Sequence, residues 1–297
     1  MGGGKLFDYQ VITVDDGSTD ATLAKLNELA KKYPRLLVLS QKNSGPGAAR
    51  EFAISYAACD YLAFCDSDDW VEPDWLLSMY MLLKQSGADF LKCSCFIDKP
   101  GYNVISQPKK SSGQTSVLSQ KSAIECFLEH KKLNGILWTN LFKRELFDNL
   151  HFNTNLVLFE DADIILKILL KCKSVAFCSI AKYHYVVSGD SLSNGKTSIK
   201  KIESTLTFWN GFLNTIASHY PDLTPQALSR RNNVLYATLY NMYRSSIYAP
   251  DLERQLLRVI RKEPLSIMRM QKSKLHKLIA LIVCATPKIA RFVLSKV

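Results

Sequence analysis

Tyr61-Leu62-Ala63-Phe64-Cys65-Asp66-Ser67-Asp68-Asp69 carries the clearest structural signal in the chain. An apolar, aromatic-rich run stops abruptly at clustered carboxylates, the pattern of a buried strand that ends in a polar turn. The same figure stands earlier in the chain, where Tyr9-Gln10-Val11-Ile12-Thr13-Val14 runs into Asp15-Asp16-Gly17-Ser18. Between the two, Leu23, Leu26, Leu29 and Ala30 recur at helical spacing behind Thr19 or Asp20 as cap, and Leu36–Leu39 forms a further apolar run. Asn43-Ser44-Gly45-Pro46-Gly47 then opens a second helix, from about Ala48 to Ala58. Strands alternating with helices predict an α/β fold with a doubly wound, mainly parallel sheet. In such a sheet ligands bind beyond the carboxyl ends of the strands, so both sets of acids are aimed at one crevice.

Working toward the C-terminus, Pro73-Asp74-Trp75-Leu76 starts a helix and Ala88–Cys93 reads as a strand. Residues 99–120 turn to Gly, Pro, Ser, Lys and Gln, the composition of a surface loop. Helices are predicted at Ser122–His130 and Ile164–Cys172, the latter with Ile164, Ile165, Ile168, Leu169 and Cys172 on one face, and a strand at Ser174–Cys178. Beyond residue 198 the pattern is helical throughout.

The tripeptide Asp66-Ser67-Asp68 is a D-x-D motif that fits an ordinary acidic turn or helix cap as well as a ligand site. Adjacent carboxylates repel one another, and a divalent cation bridging them to a polyphosphate removes that conflict. Context favours the second reading. Val14-Asp15-Asp16-Gly17-Ser18-Thr19-Asp20, Asn43-Ser44-Gly45-Pro46-Gly47-Ala48-Ala49-Arg50 and Phe64-Cys65-Asp66-Ser67-Asp68-Asp69-Trp70, in this order, resemble the nucleotide-sugar half of family 2 glycosyltransferases, which have the GT-A fold. The resemblance continues in Trp138–Glu145, in Phe159-Glu160-Asp161, in Tyr183-His184-Tyr185 and in Ser191-Leu192-Ser193.

That resemblance implies transfer of a sugar, with inversion, from a nucleoside-diphosphate donor to a saccharide or lipid-linked acceptor, as in cell-surface polysaccharide biosynthesis. It implies that Asp16, with Asp15 as the second choice, contacts the donor base, that Asp66 faces the ribose and Asp68 the metal, and that Arg50 approaches the donor. The implied cofactor is Mg²⁺ or Mn²⁺, because carboxylate and phosphate oxygens are hard ligands. Asp66 and His184 are further candidate metal ligands, although a satisfied, partly buried histidine is the commoner reading of His184. Asp161 is the candidate general base with Glu160 as its neighbour and substitute; the alternative is that Glu160, Asp161 and Asp163 only complement a helix dipole. Trp138 is either a stacking platform for a sugar acceptor or a core residue. The corresponding division is a glycosyltransferase region over 1–198 (nucleotide-sugar segment 1–98, loop 99–120, acceptor and catalytic segment 121–198) and a helical C-terminal region over 199–297. A non-catalytic homologue that binds nucleotide sugar or a partner without turnover is the competing reading.

Three departures from the family pattern stand out. A first strand and helix normally precede the strand that here is Val11–Val14, and only Met1–Asp8 stand before Tyr9, so the expectation is a sheet with unpaired backbone groups and a weakened donor site. Glu51 occupies a position where Asn is usual, and Val186 one where Arg often follows Tyr-His-Tyr.

Composition narrows the remaining classes. The formal net charge is +11, yet residues 251–297 alone carry 11 Lys and Arg against 3 Asp and Glu. Basicity confined to one segment argues against a nucleic-acid-binding domain and for one anionic surface met by the tail. Lys272–Val297 holds six Lys and Arg and no acid, with Leu275, Leu278, Ile279, Ile282 and Val283 at helical spacing. This is a basic amphipathic segment that either lies on an anionic membrane or packs its apolar face on the protein. Eight cysteines scattered without a C-x-x-C pair read as reduced thiols. With no apolar stretch near the ~20 residues of a span, the expectation is a cytoplasmic protein, peripheral on the inner face of the membrane at most.

Overall fold

The computed structural model of the chain describes residues 7–99, 115–129, 133–187, 197–264, 267 and 274–295. These form two compact units, one comprising Met1–Phe127, Lys131–Thr154 and Glu160–Ser188, the other Leu128–His130, Asn155–Phe159 and Gly189–Val297.

In the first unit, β1 (Val11–Asp15) pairs in parallel with β2 (Leu36–Ser40), Val11 opposite Leu36. Helix α1 (Thr22–Lys32) joins them. Its N-cap position is Ala21, not the anticipated Thr19 or Asp20; Asp20 instead accepts the Thr22 N–H at 2.9 Å from just outside the helix. Helix α2 (Pro46–Ser55) starts two residues earlier than expected, because Pro46 has the fixed φ that suits a first helical turn.

The second sheet runs in the order β3 (Tyr61–Ala63), β7 (Asn140–Lys143), β5 (Phe90–Asp98), β8 (Ser174–Val186), β4 (Trp70–Val71), with β6 (Thr115–Ser119) also on β8. β5 and β8 pair in parallel; β3–β7, β5–β7, β4–β8 and β6–β8 are antiparallel. Thr115–Ser119 therefore corrects the loop expected over 99–120, of which residues 100–114 lie outside the described residues. Leu91, Cys93, Ala176 and Cys178 meet Met79 and Leu83 of α3 (Trp75–Ser86) to make the main core. The face predicted for α5 (Glu160–Lys171) holds, with Ile164, Ile165, Ile168, Leu169 and Cys172 all buried. Among the described residues β1 pairs only with β2, and β3 only with β7.

Helix α4 (Gln120–Glu129) precedes the segment that leads to β7. The second unit is helical, as expected: α6 (Ile199–His219), α7 (Thr224–Arg244), α8 (Pro250–Ile260), α9 (Lys274–Ala285) and α10 (Pro287–Leu294). Ser198 caps α6 by accepting the Lys201 N–H. Trp209, Phe212, Leu235, Leu239, Met242, Leu256 and Ile260 fill the core of this unit. No helix among the described residues is long and apolar enough to cross a membrane.

Candidate active site

Each acidic turn is shaped by its own backbone. After β1, Gly17 adopts φ +76°, and a Cβ there would lie 2.8 Å from the Asn43 nitrogen, so the turn admits only glycine without displacement. The Asp16 carboxylate accepts from Gln41 Nε2, Ser44 N and Gly45 N, each at 2.8 Å. Burial is the largest single influence and opposes ionisation, but the three donors together outweigh it and lower the carboxyl from its ordinary value. Asp15 is buried and accepts from Ser40 Oγ at 3.3 Å. Asp16 is thus engaged in fixing the loop that opens α2, and Asp15 ties the end of β1 to the end of β2.

Past β3, the Asp66 N–H donates to Tyr183 Oη at 3.0 Å, Tyr183 Oη donates to Asp69 Oδ2 at 2.5 Å, and Asp69 Oδ1 accepts the Val186 N–H at 2.8 Å. Burial raises the Asp69 carboxyl despite these donors, and the neighbouring acids push the same way. Asp68 is exposed and makes no hydrogen bond to another described residue.

The two halves meet at Arg50. Its Nη2 donates to Asp66 Oδ1 at 3.0 Å, while Nη1 reaches Asp161 Oδ1 at 2.8 Å and Glu160 Oε1 at 3.5 Å. A single guanidinium from α2 therefore spans the acidic end of β3 and the first turn of α5. Burial pushes the Asp161 carboxyl up to about 7 against the pull of Arg50, with the charges of Glu160 and Asp66 adding to the rise. A carboxyl poised there suits proton transfer near neutral pH. Phe159, which leads into this helix, holds φ +71°, an uncommon conformation for a bulky residue.

The surroundings of Asp161 are pinned by residues that reading the sequence did not single out. The Leu137 N–H donates to Asp161. Gly135 lies so close to Ala162 that any side chain there would collide with it. Asn140 Nδ2 donates to the Ile136 carbonyl at 2.6 Å, and Lys92 Nζ, fully buried, donates to Asn134 Oδ1 at 2.9 Å and to Thr139 Oγ1. Burial brings the Lys92 ammonium down to about 7. A lysine inside the apolar run Phe90-Leu91-Lys92-Cys93 was the one available signal, because a charged residue in a buried strand needs partners.

Other candidates fall elsewhere. His184 is sandwiched between Trp70 (ring centroids 3.4 Å apart) and Phe96 (4.5 Å), with Nδ1 3.2 Å from Asp98 Oδ2 and Nε2 3.2 Å from Glu72 Oε1. Both ring nitrogens face carboxylates other than Asp66 and Asp68. Trp138 is buried in the core, parallel to Tyr183 at 4.6 Å and Tyr185 at 5.4 Å, a core position rather than an open platform. Among the described residues no three His, Cys, Asp or Glu side chains converge as a metal site. Glu51 finds a structural role, accepting the Phe152 N–H at 2.9 Å and lying 2.7 Å from His151 Nδ1. Ser191-Leu192-Ser193 lies outside the described residues.

The acids beyond the strand ends of an α/β fold here share one arginine with a helix-borne carboxylate. Over residues 5–152 the chain belongs to the family described as glycosyl transferase family 2. It is 30% identical over 187 residues to the poly(ribitol-phosphate) beta-glucosyltransferase of Bacillus spizizenii, covering 62% of this chain and 28% of that protein. It is 28% identical over 211 residues to the cholesterol galactosyltransferase of Borreliella burgdorferi, covering 68% of this chain and 58% of the relative. The chain therefore spans less than two thirds of the length of these relatives. Among solved structures, S. aureus TarS 1–349 in complex with UDP superposes with a TM-score of 0.62 at 19% identity, over 97% of this chain and 81% of that one. TarS 1–349 with UDP-GlcNAc matches equally, with a TM-score of 0.62 and 18% identity over 97% and 81% of the two chains. The fold is of the GT-A α/β type.

Proposed function

We propose that the protein is an inverting glycosyltransferase that moves a sugar from a nucleoside diphosphate to a hydroxyl of a saccharide or lipid-linked acceptor during assembly of a cell-surface polymer. The observation that carries this reading is the Arg50 bridge, which sets Asp66 and Asp161 on either side of one guanidinium. The names of the relatives and the UDP and UDP-GlcNAc held by TarS support a nucleotide-sugar donor.

In this reading Asp161 accepts the proton of the acceptor hydroxyl as its oxygen bonds to the anomeric carbon. The bond from that carbon to the diphosphate oxygen breaks on the opposite face, and the electron pair leaves with the diphosphate. Glu160 keeps the site's charge negative beside Asp161, and Arg50 is placed to exchange a carboxylate for a diphosphate oxygen. Asp68, exposed and without a hydrogen-bond partner among the described residues, and Asp66 are the residues that would hold Mg²⁺ or Mn²⁺, the donor's own oxygens completing the set. The cation would supply charge neutralisation at the leaving group. Trp138 and His184 then support the fold of the site instead of touching acceptor or metal.

Incubation with a panel of UDP-, GDP- and dTDP-sugars, Mn²⁺ and candidate acceptors tests the proposal. Formation of a glycosylated product of inverted anomeric configuration is the expected result. Donor binding without transfer or hydrolysis across the panel would make the protein a binding homologue instead.

A further inference from the structure

The last two helices place their apolar residues on both faces. Ala280, Val283 and Cys284 of α9 and Ala290 and Leu294 of α10 are buried in the helical unit. The opposite faces would be polar if solvent were their only neighbour. Instead Leu278 and Leu281 of α9, and Ile289, Phe292 and Val293 of α10, are all exposed, Phe292 to 63%. At 278 and 281, and at 289, 292 and 293, the spacing puts each set on a single helix face. Tyr248, 73% exposed, borders the same groove as Lys288 and Phe292, a concavity of about 370 Å³. The apolar face foreseen from the sequence thus divides: Val283 packs inward, and a second apolar surface remains outside.

Charge selects what can cover it. Lys277 and Lys288 are exposed beside these residues, and residues 272–297 contain no acid. Two copies meeting through this face would bring two unopposed cationic sets together, which is unfavourable. A soluble anionic polymer would match the lysines but offer nothing to Leu278, Leu281, Ile289 and Val293. An anionic lipid surface offers both, headgroup charge for the lysines and an acyl boundary for the aliphatic and aromatic side chains. We infer that the outward face of α9 and α10 docks the protein on anionic membrane, with Phe292 and Ile289 entering the interface. This deepens the proposed use of a lipid-linked acceptor but rests on the exposed face alone, so it stands or falls independently of transfer activity.

Sedimentation of the full chain with vesicles of phosphatidylcholine, alone and mixed with phosphatidylglycerol, tests the inference. The expected result is co-sedimentation with the mixed vesicles at low salt, little with phosphatidylcholine alone, and loss at high salt. Ile289→Ser with Phe292→Ser, and separately Lys277→Glu with Lys288→Glu, should each lower partition about tenfold or more. All four side chains are exposed, and an unchanged melting curve confirms that each variant folds. Failure of the wild-type chain to sediment overturns the inference. So does a charge variant that releases the protein while the serine variant does not, because the apolar face would then be idle. A wild-type dimer in solution that the serine variant converts to monomer would overturn it too, by assigning the face to a second copy.

Discussion

The two sheets of the first unit differ in how much they bury. In β1 the buried residue is Asp15, β2 has none, α1 has none, and α2 contributes Gly47. In the larger sheet Phe90, Leu91, Val175 and Ala176 are fully buried, and α5 adds four residues at 0% exposure. The smaller sheet therefore draws its order from polar contacts at its turns, above all the three donors on Asp16. The larger one draws it from the hydrophobic core. A site assembled from both has one firm wall and one compliant wall.

The largest expected effect exploits that contrast. Leu91→Ala, in the core, should cost about 2–5 kcal/mol, and Leu37→Ala, half-buried in β2, well under half of that. Urea denaturation of the two variants measures it, and equal losses would erase the distinction between the sheets. Next in size is Asp68→Asn, which should lower metal-dependent transfer roughly 10²-fold or more while leaving the melting temperature unchanged, since the side chain is exposed. Retention of more than about a tenth of wild-type turnover would remove Asp68 from the cation.

A smaller effect concerns the pinned wall. Lys92 has its folded-state ionisation depressed to about 7, so the unfolded chain binds more protons between that pH and the ordinary lysine range. Stability should therefore rise with pH above about 7, with a contribution from this residue of at most roughly 1.4 kcal/mol per pH unit. Lys92→Met should flatten that rise. Asp161 acts in the opposite direction over a lower window: its raised ionisation favours the folded state in acid, and this contribution declines as pH climbs from the ordinary aspartate range to about 7. Melting curves from pH 5 to 9 on wild type and Lys92→Met read both, and parallel profiles would show that Lys92 does not titrate in this way.

The same contrast explains what was legible in the sequence. Strand ends punctuated by acids, such as Phe64-Cys65-Asp66, announce themselves locally, and so does the apolar face of α5. Thr115–Ser119 did not, because Val117 and Leu118 set among Thr and Ser in a polar segment become a strand only when β8 supplies the ladder. β8 itself runs to Val186, past the break in apolar pattern after Cys178, since its partners β5 and β4 continue alongside it. Arg50 and Asp161 were named, but their meeting over an interval of 111 residues is a tertiary fact. Tyr183 linking Asp66 to Asp69, and Lys92 holding Asn134, are of the same kind. Trp138 shows the converse, an aromatic residue whose two readings only burial could separate.

Most depends on Asp161 serving as the base in a site whose donor side is built by Asp66, Asp68 and Arg50. Asp161→Asn tests this most directly, with calorimetric donor affinity and steady-state turnover measured across pH on the same protein. The expected result is wild-type turnover that rises with pH around 7, a variant slowed roughly 10²-fold or more with that rise lost, and donor affinity within about threefold of wild type. A collapse of donor affinity, or turnover that keeps its rate and pH profile, would contradict it.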